Sequence, residues 1–193
     1  VHGPALPLRV WCFDQDAQSI FAGPAADFGA AHIATIRERG ALGATALPTA
    51  LAAIRADERR GERVLVVGDG VDTAGDARVA EAALALRRAG VARIDAVTIG
   101  GNLDLAAFTR LVAADDGRGA GLVLDGARPT DDLVDRLRRA AFTGVRVRVP
   151  GSRWSWPEQL DGVQPGDTAL VYAELPEGEP LRVALDGAPD GPP

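Results

Sequence analysis

A chain of 193 residues, 47% of them apolar, can bury one α/β core of ordinary size and carry a smaller appendage, so the composition is that of a folded protein. A formal charge of −6 excludes a general phosphate-backbone binder, because nucleic-acid affinity needs clustered positive charge that is not cancelled nearby. No run approaches the roughly 20 apolar residues of a membrane helix, and the start lacks the basic, then apolar, then small-residue order of a signal peptide.

The first readable element is Leu8–Phe13, followed by the polar turn Asp14-Gln-Asp-Ala and by Ser19–Phe21, a pattern that predicts a hairpin. From about Ala25 to Arg39, Phe28, His32 and Ile36 recur at helical spacing, and Gly40 supplies a stop. Gly43-Ala-Thr-Ala-Leu-Pro48 then leads into a shorter helix with Leu47, Leu51 and Ile54 on one face. The near-continuous apolar run of Arg63–Gly70 predicts a strand covered on both faces, central in a parallel sheet. A helix starting at Gly75-Asp76 and carrying Val79, Ala83 and Leu86 ends at Gly90, and Ala92–Ile99 reads as the next strand. Leu105, Phe108 and Val112 mark another helix, Gly121–Leu124 a short strand, and Thr130 to about Ala141 a last helix. Thr130 is placed to cap that helix, with Asp131 and Asp132 at the positive end of its dipole and Arg138 and Arg139 at the negative end. This alternation implies an α/β fold with an open, mostly parallel sheet and right-handed crossovers.

Past Gly144 the period changes to two: Val145, Val147 and Val149 alternate with Arg146 and Arg148, as in a half-buried strand. Two more strands are expected around Thr168–Glu174 and Leu181–Leu185, bounded by Pro- and Gly-rich turns. Trp154 and Trp156, two apart, project from one face of an extended segment and suit either a binding surface or, the favoured reading, a packing contact with an adjoining domain. The organisation expected is an α/β domain over 1–143, a β-rich segment over 144–186 and a tail over 187–193. Every basic side chain is Arg, which we read as coding bias, and single Cys12 has apolar neighbours that suggest a buried thiol. There is no Met, and the expectation is a chain that starts at a non-standard codon or is cut from a longer reading frame.

Taken in order, Val10-Trp-Cys-Phe-Asp14, Gly43-Ala-Thr-Ala-Leu47, Val64–Gly70 with Asp72-Thr-Ala-Gly75, Ile94–Gly101 and Leu105–Gly119 resemble a von Willebrand factor A (vWA) domain from its second strand onward. The resemblance covers residues from about 8 to 142. The tail from Trp154 to Asp167, with the strand after it, resembles the segment just after the A domain in proteins similar to inter-alpha-trypsin inhibitor heavy chains and their bacterial relatives. There a VIT domain precedes the A domain, so the β segment here is expected to be part of a β-sandwich whose other strands lie upstream. The resemblance implies a Rossmann-like sheet lacking its first strand, that is, an N-terminally truncated module. It also implies a divalent ion, usually Mg²⁺, held by Asp-x-Ser-x-Ser on that first strand, by a Thr in a following loop and by an Asp after the fourth strand; Thr45 and Asp69 match the last two. A hard cation of this kind takes hydroxyl, carboxylate and water oxygens and leaves a position for an acidic ligand group. Asp-x-Ser-x-Ser has no counterpart in this chain, and Ala46 stands where relatives often carry an acidic or amide residue. Relatives of this architecture are commonly secreted or envelope-associated.

The function expected is therefore a non-catalytic, adhesion-type module that in complete form binds a protein ligand through the metal at the strand edge. Two alternatives stand beside it: a scaffolding vWA domain with a degenerate metal site, and a small α/β nucleotide-binding enzyme using Gly68-Asp-Gly70, which lacks the G-x-G-x-x-G spacing. On spacing alone, Thr45 equally suits a helix cap and Asp69 a turn. His32 reads as a core-edge histidine, Asp115-Asp116 and Asp131-Asp132 as helix-end charge, and no G-x-S-x-G elbow is present.

Overall fold

A computed structural model describes residues 5–40, 43–73, 78–113 and 120–187. The expected opening hairpin forms: β1 (Pro7–Phe13) pairs antiparallel with β2 (Ala17–Pro24). Cys12 on β1 is half-buried and not enclosed. The predicted Ala25–Arg39 helix is broken into a 3₁₀ turn, Ala25–Asp27, and α1 (Ala30–Arg39), because extended Gly29 takes the cap position. Phe28 thus lies outside the helix, where its ring stacks on His32 with centroids 5.3 Å apart while Phe21 meets both edge-on. The Nδ1 of His32 accepts the Gly29 amide, so this histidine is a packing and capping residue, as its spacing suggested.

The α/β alternation continues as α2 (Leu47–Ala56), β3 (Arg63–Gly68), α3 (Val79–Arg88), β4 (Arg93–Thr98), α4 (Leu105–Val112), β5 (Val123–Asp125) and α5 (Thr130–Arg138). The three strands form a parallel sheet in the order β3-β4-β5, flanked by helices, which is the predicted fold class. One face of the sheet packs Val64, Val66, Ile94 and Ala96 against Leu47 and Leu51 of α2, Val79, Ala83 and Leu86 of α3, and Phe108, Leu111 and Val112 of α4. The other packs Val97, Leu122 and Leu124 against Leu133 and Leu137 of α5. On α4 the buried row is Ala107, Phe108, Leu111 and Val112; Leu105, expected on that face, points to solvent.

Among the described residues β3 is not central as its apolar run predicts: it lies at an edge of this sheet with β4 as its neighbour, and on the α5 side Leu65 and Val67 are 46% and 47% exposed. A continuous apolar run reports that both faces are suited to burial. Here α5 reaches over β4 and β5, and no described helix covers that face of β3.

At the centre of this sheet lies a buried carboxylate. Asp95 on β4 is wholly excluded from solvent, and its Oδ2 accepts both Nε (2.9 Å) and Nη2 (2.7 Å) of Arg63 on β3. Its Oδ1 accepts Nε of Arg93 (2.7 Å) and the Leu122 amide (2.9 Å) at the start of β5. Arg93 also donates to the Arg139 carbonyl at the end of α5. A buried charge is tolerated only when paired and hydrogen-bonded, and these partners come from β4 itself, from β3 and from the residue just before β5. The crossing is close enough that a Cβ on Gly121 would sit 1.7 Å from the Ile94 carbonyl oxygen, so only glycine fits there.

Two expectations about α5 are corrected at its ends. Pro129 occupies the cap position and no side chain caps the helix; Thr130 is its first residue. The helix stops at Arg138, short of Ala141, where Gln164 Nε2 donates to the Arg136 carbonyl at 2.8 Å. That glutamine belongs to the β-rich segment, which also ties back through Arg136–Asp167 (2.7 Å) and the Phe142–Val163 bridge. In the segment, β6 (Val145–Arg148) buries Val145 and Val147 and exposes its arginines, as the period of two predicted. β7 (Trp154–Trp156) and β8 (Gln159–Leu160) are additional strands, and β9 (Tyr172–Glu174) and β10 (Ala184–Asp186) are shorter than expected. The order is β10-β6-β8 in one sheet and β7-β9 in a separate ribbon. Residues 188–193 of the predicted tail lie outside the described residues.

Replacing Asp95 by Ala removes the one carboxylate facing two arginines. The expected cost is on the order of 3 kcal/mol, the lower end for a broken buried pair because Arg63 is partly solvated, and is read from the shift of the urea midpoint. Asp95→Asn, which keeps an acceptor, is expected to cost less.

Candidate site at the carboxyl edge of the parallel sheet

Open parallel sheets present their strand-terminal loops at one edge, and ligands of such folds sit there. Here the loops are stitched to each other by backbone bonds. The Ile99 amide donates to the Gly68 carbonyl (2.7 Å), Asp104 to Asp69 (2.9 Å) and Gly126 to Thr98 (2.9 Å), so the ends of β3, β4 and β5 form one rim.

Asp69 is the first residue after β3. Its Oδ1 accepts the Val71 amide at 3.0 Å, so it is a turn-forming residue, and its other carboxylate oxygen accepts nothing among the described residues. Gly70 follows with φ +77°, and a Cβ there would lie 2.7 Å from the Asp104 carbonyl oxygen and 2.8 Å from the Phe108 ring. The close approach of this turn to α4 fixes where Asp69 sits.

Thr45 does not cap α2: the cap position is Ala46, with no side-chain bond. Its amide donates to Thr73 Oγ1 at 2.7 Å, which brings the loop before α2 against the turn after β3, while its own hydroxyl makes no hydrogen bond among the described residues. The structure thus brings together the loops of Thr45 and Asp69. Ala74 and Gly75, the rest of the Asp72-Thr-Ala-Gly75 stretch, lie outside the described residues, as do Gly75-Asp76 as a helix start and the Asp115-Asp116 pair. Among the described residues no group of three or more His, Cys, Asp or Glu could hold a metal ion.

Three contributors were not singled out from the sequence. Thr73 carries the loop-to-loop bond, and Asp104 both anchors the Asp69 carbonyl and caps α4 by accepting the Ala107 amide at 2.8 Å. The spacing of Asp104 three before Ala107, ahead of an apolar run, was a readable cap signal. Asp14, at the end of β1, is the third. Its carbonyl accepts the Ala46 amide (2.8 Å), and its carboxylate pairs with Arg39 of α1 (2.7 Å), so the hairpin holds the loop that carries Thr45.

β1 runs in the same sense as β3 without pairing to it. Near its start, Arg9 pairs with Asp57 (2.6 Å) and donates to the Arg59 carbonyl, ahead of β3; at its end, Asp14 reaches Ala46 beside the rim. The carbonyls of Glu62, just before β3, and of Gly68 at its end accept from Ala92 and Ile99 on the β4 side. By the period of two, the backbone groups of Leu65 and Val67 face away from β4, toward an edge with no described ladder.

No family model matches the chain, and no curated protein matches it. Among solved structures it is similar to a von Willebrand factor type A from Catenulispora acidiphila, at 17% identity and a TM-score of 0.45, over 89% of this chain and 46% of that one. The chain therefore spans less than half the length of that structure.

The carboxyl group of Asp14 is held below its ordinary value by the Asp16 amide, which donates to its Oδ1 at 3.1 Å, with Arg39 beside it. A carboxyl depressed on folding contributes stability that is complete above its unfolded pKa and lost as pH falls through the lower folded one. Thermal melts across the acid range are expected to show this loss, and Asp14→Asn to remove that part of the pH dependence.

Proposed function

We propose that this chain is the greater part of a vWA-type protein-interaction module. In complete form it would hold a divalent cation at the carboxyl edge of the parallel sheet and through it bind an acidic group of a protein partner. The observation that carries this reading is the meeting of the Thr45 loop with the turn opened by Asp69, joined by the Thr45 amide and Thr73 Oγ1. A hydroxyl and one carboxylate oxygen are left on this rim, both hard donors of the kind Mg²⁺ takes.

Two donors do not make a cation shell, and the described residues fit the ion only in part. The remaining protein ligands would come from a strand bearing Asp-x-Ser-x-Ser, seated between β1 and β3. The unpaired backbone of Leu65 and Val67, and the absence of a described helix over their side chains, support a strand at that edge and a helix following it. On the same reading, the β-rich segment is part of a β-sandwich; exposed Trp154, Trp156 and Tyr172 on the β7-β9 ribbon support a covering layer. Bound in this way, the ion would supply Lewis acidity toward a partner carboxylate; Thr45 and Asp69 would orient it.

The test is thermal denaturation of the chain together with an upstream strand carrying Asp-x-Ser-x-Ser. A ligand that binds only the folded state stabilises it by about 2.7 kcal/mol at one hundred times its dissociation constant, so Mg²⁺ should raise the melting temperature, and Asp69→Asn should abolish the rise. No Mg²⁺-dependent shift in the longer protein sinks the cation reading and favours a scaffolding role for the same fold.

A further inference from the structure

The sheet β10-β6-β8 has an edge that the Thr45–Asp69 rim does not use. The Val147 amide donates to the Glu158 carbonyl on the β8 side, so the backbones of Arg146 and Arg148 face β10. Their partners in register are Asp186 and Ala184, which therefore face inward. The backbone groups of Leu185 face outward, and the period of two continued one step before β10 carries those of Val183 the same way; no strand pairs with this side among the described residues. From Leu181 to Asp186 there is no proline or lysine to blunt this edge. Leu181, Val183 and Leu185, at 65%, 47% and 50% exposure, extend the apolar face that β6 begins with buried Val145 and Val147.

We propose that this edge pairs with a second copy of the chain, β10 against β10, antiparallel about a two-fold axis through Ala184. The charges select that register. Centred on Ala184, Arg182 of each copy stands opposite Asp186 of the other, and Val183 opposite Leu185. Centred one residue earlier, Arg182 meets Ala184 and Asp186 meets Pro180; centred one later, Ala184 meets Asp186. The Ala184 register also places the outward-facing residues 183 and 185 opposite each other, as a hydrogen-bonded pair requires. Arg182 is exposed and makes no ion pair among the described residues, whereas Asp186 is held by Arg148 through both carboxylate oxygens (2.7 Å to Oδ1, 2.5 Å to Oδ2) and retains a further lone pair on each for a second guanidinium. Pairing makes one six-stranded sheet, with the Leu181, Val183 and Leu185 rows of both copies on one face and the arginine–aspartate pairs on the other. The proposal stands on β10 alone and is independent of the cation reading.

Sedimentation velocity of the chain should give a species of twice its 20.0 kDa mass. Arg182→Asp, which sets aspartates opposite each other at both ends, should raise the dimer dissociation constant about tenfold or more. Val183→Pro, which deletes an amide that donates to nothing among the described residues, should also disfavour the dimer. Across the axis, Ala184 meets its own copy as a non-hydrogen-bonded pair with Cα atoms about 4.5 Å apart, within disulfide range. On a Cys12→Ser background, Ala184→Cys should therefore cross-link readily and Leu181→Cys should not. A monomeric chain, a dimer indifferent to Arg182→Asp and Val183→Pro, or equal cross-linking at 181 and 184 would overturn the proposal; the second outcome would move the contact to another face, such as the Trp154–Trp156 ribbon.

Discussion

The structure depends on one buried charge. A carboxylate excluded from water is tolerable only if its lone pairs are filled by good donors, and Asp95 fills them with two arginines and a backbone amide drawn from β3, β4 and the start of β5. Because Arg93 also reaches the end of α5, the same network fixes how the last helix lies on the sheet. Hydrophobic burial on the two faces supplies adhesion without direction. The Asp95 network adds direction: a slipped strand would leave an uncompensated charge in the core. Gly121 serves the same crossing, since only a residue without a side chain lets β5 begin against the Ile94 carbonyl.

The rim is a consequence of this frame. Strands held in register end at the same level, and the bonds from Ile99 to Gly68, from Asp104 to Asp69 and from Gly126 to Thr98 turn their loops into one edge. Asp69 is placed by the Gly70 turn pressed against Phe108, and Thr45 by the hairpin through Asp14 and by Thr73. Rigid elements thus hold both candidate donors, which is what a cation site requires of its ligands. Among the described residues the sheet stops beside them: β3 shows apolar side chains on one face, and no ladder pairs with the backbone groups along its outer edge.

The class of fold was legible because the alternation of apolar runs with helical spacings is a burial pattern, and burial is what a sequence encodes most directly. Val79, Ala83 and Leu86 lie where their spacing put them, and β6 alternates as written. The place of β3 was not legible: Val64–Val67 records an affinity for cover on both faces, whereas an edge position depends on which neighbours are present. Helix ends were misread where a distant residue acts, as Gln164 does at the end of α5. Thr45 and Asp69 were singled out through family resemblance, and the bonds by which Thr73 and Asp104 join the loops were missed because a loop-to-loop bond has no period along the chain. Asp95 sat unremarked in an apolar run; an acid inside Ala92–Ile99 was the signal, since a charge in a buried strand demands partners.

The central claim is that the sheet continues past β3 and that the rim is completed there. Amide hydrogen exchange along β3 tests it most directly, comparing this chain with a longer protein that includes the upstream strand. The account predicts that the Leu65 and Val67 amides exchange freely in the chain alone, while those of Val64 and Val66, directed at β4, are protected, and that all four are protected in the longer protein. If Leu65 and Val67 remain unprotected there, the edge is a true edge of the fold, and the site at Thr45 and Asp69 is not completed from that side.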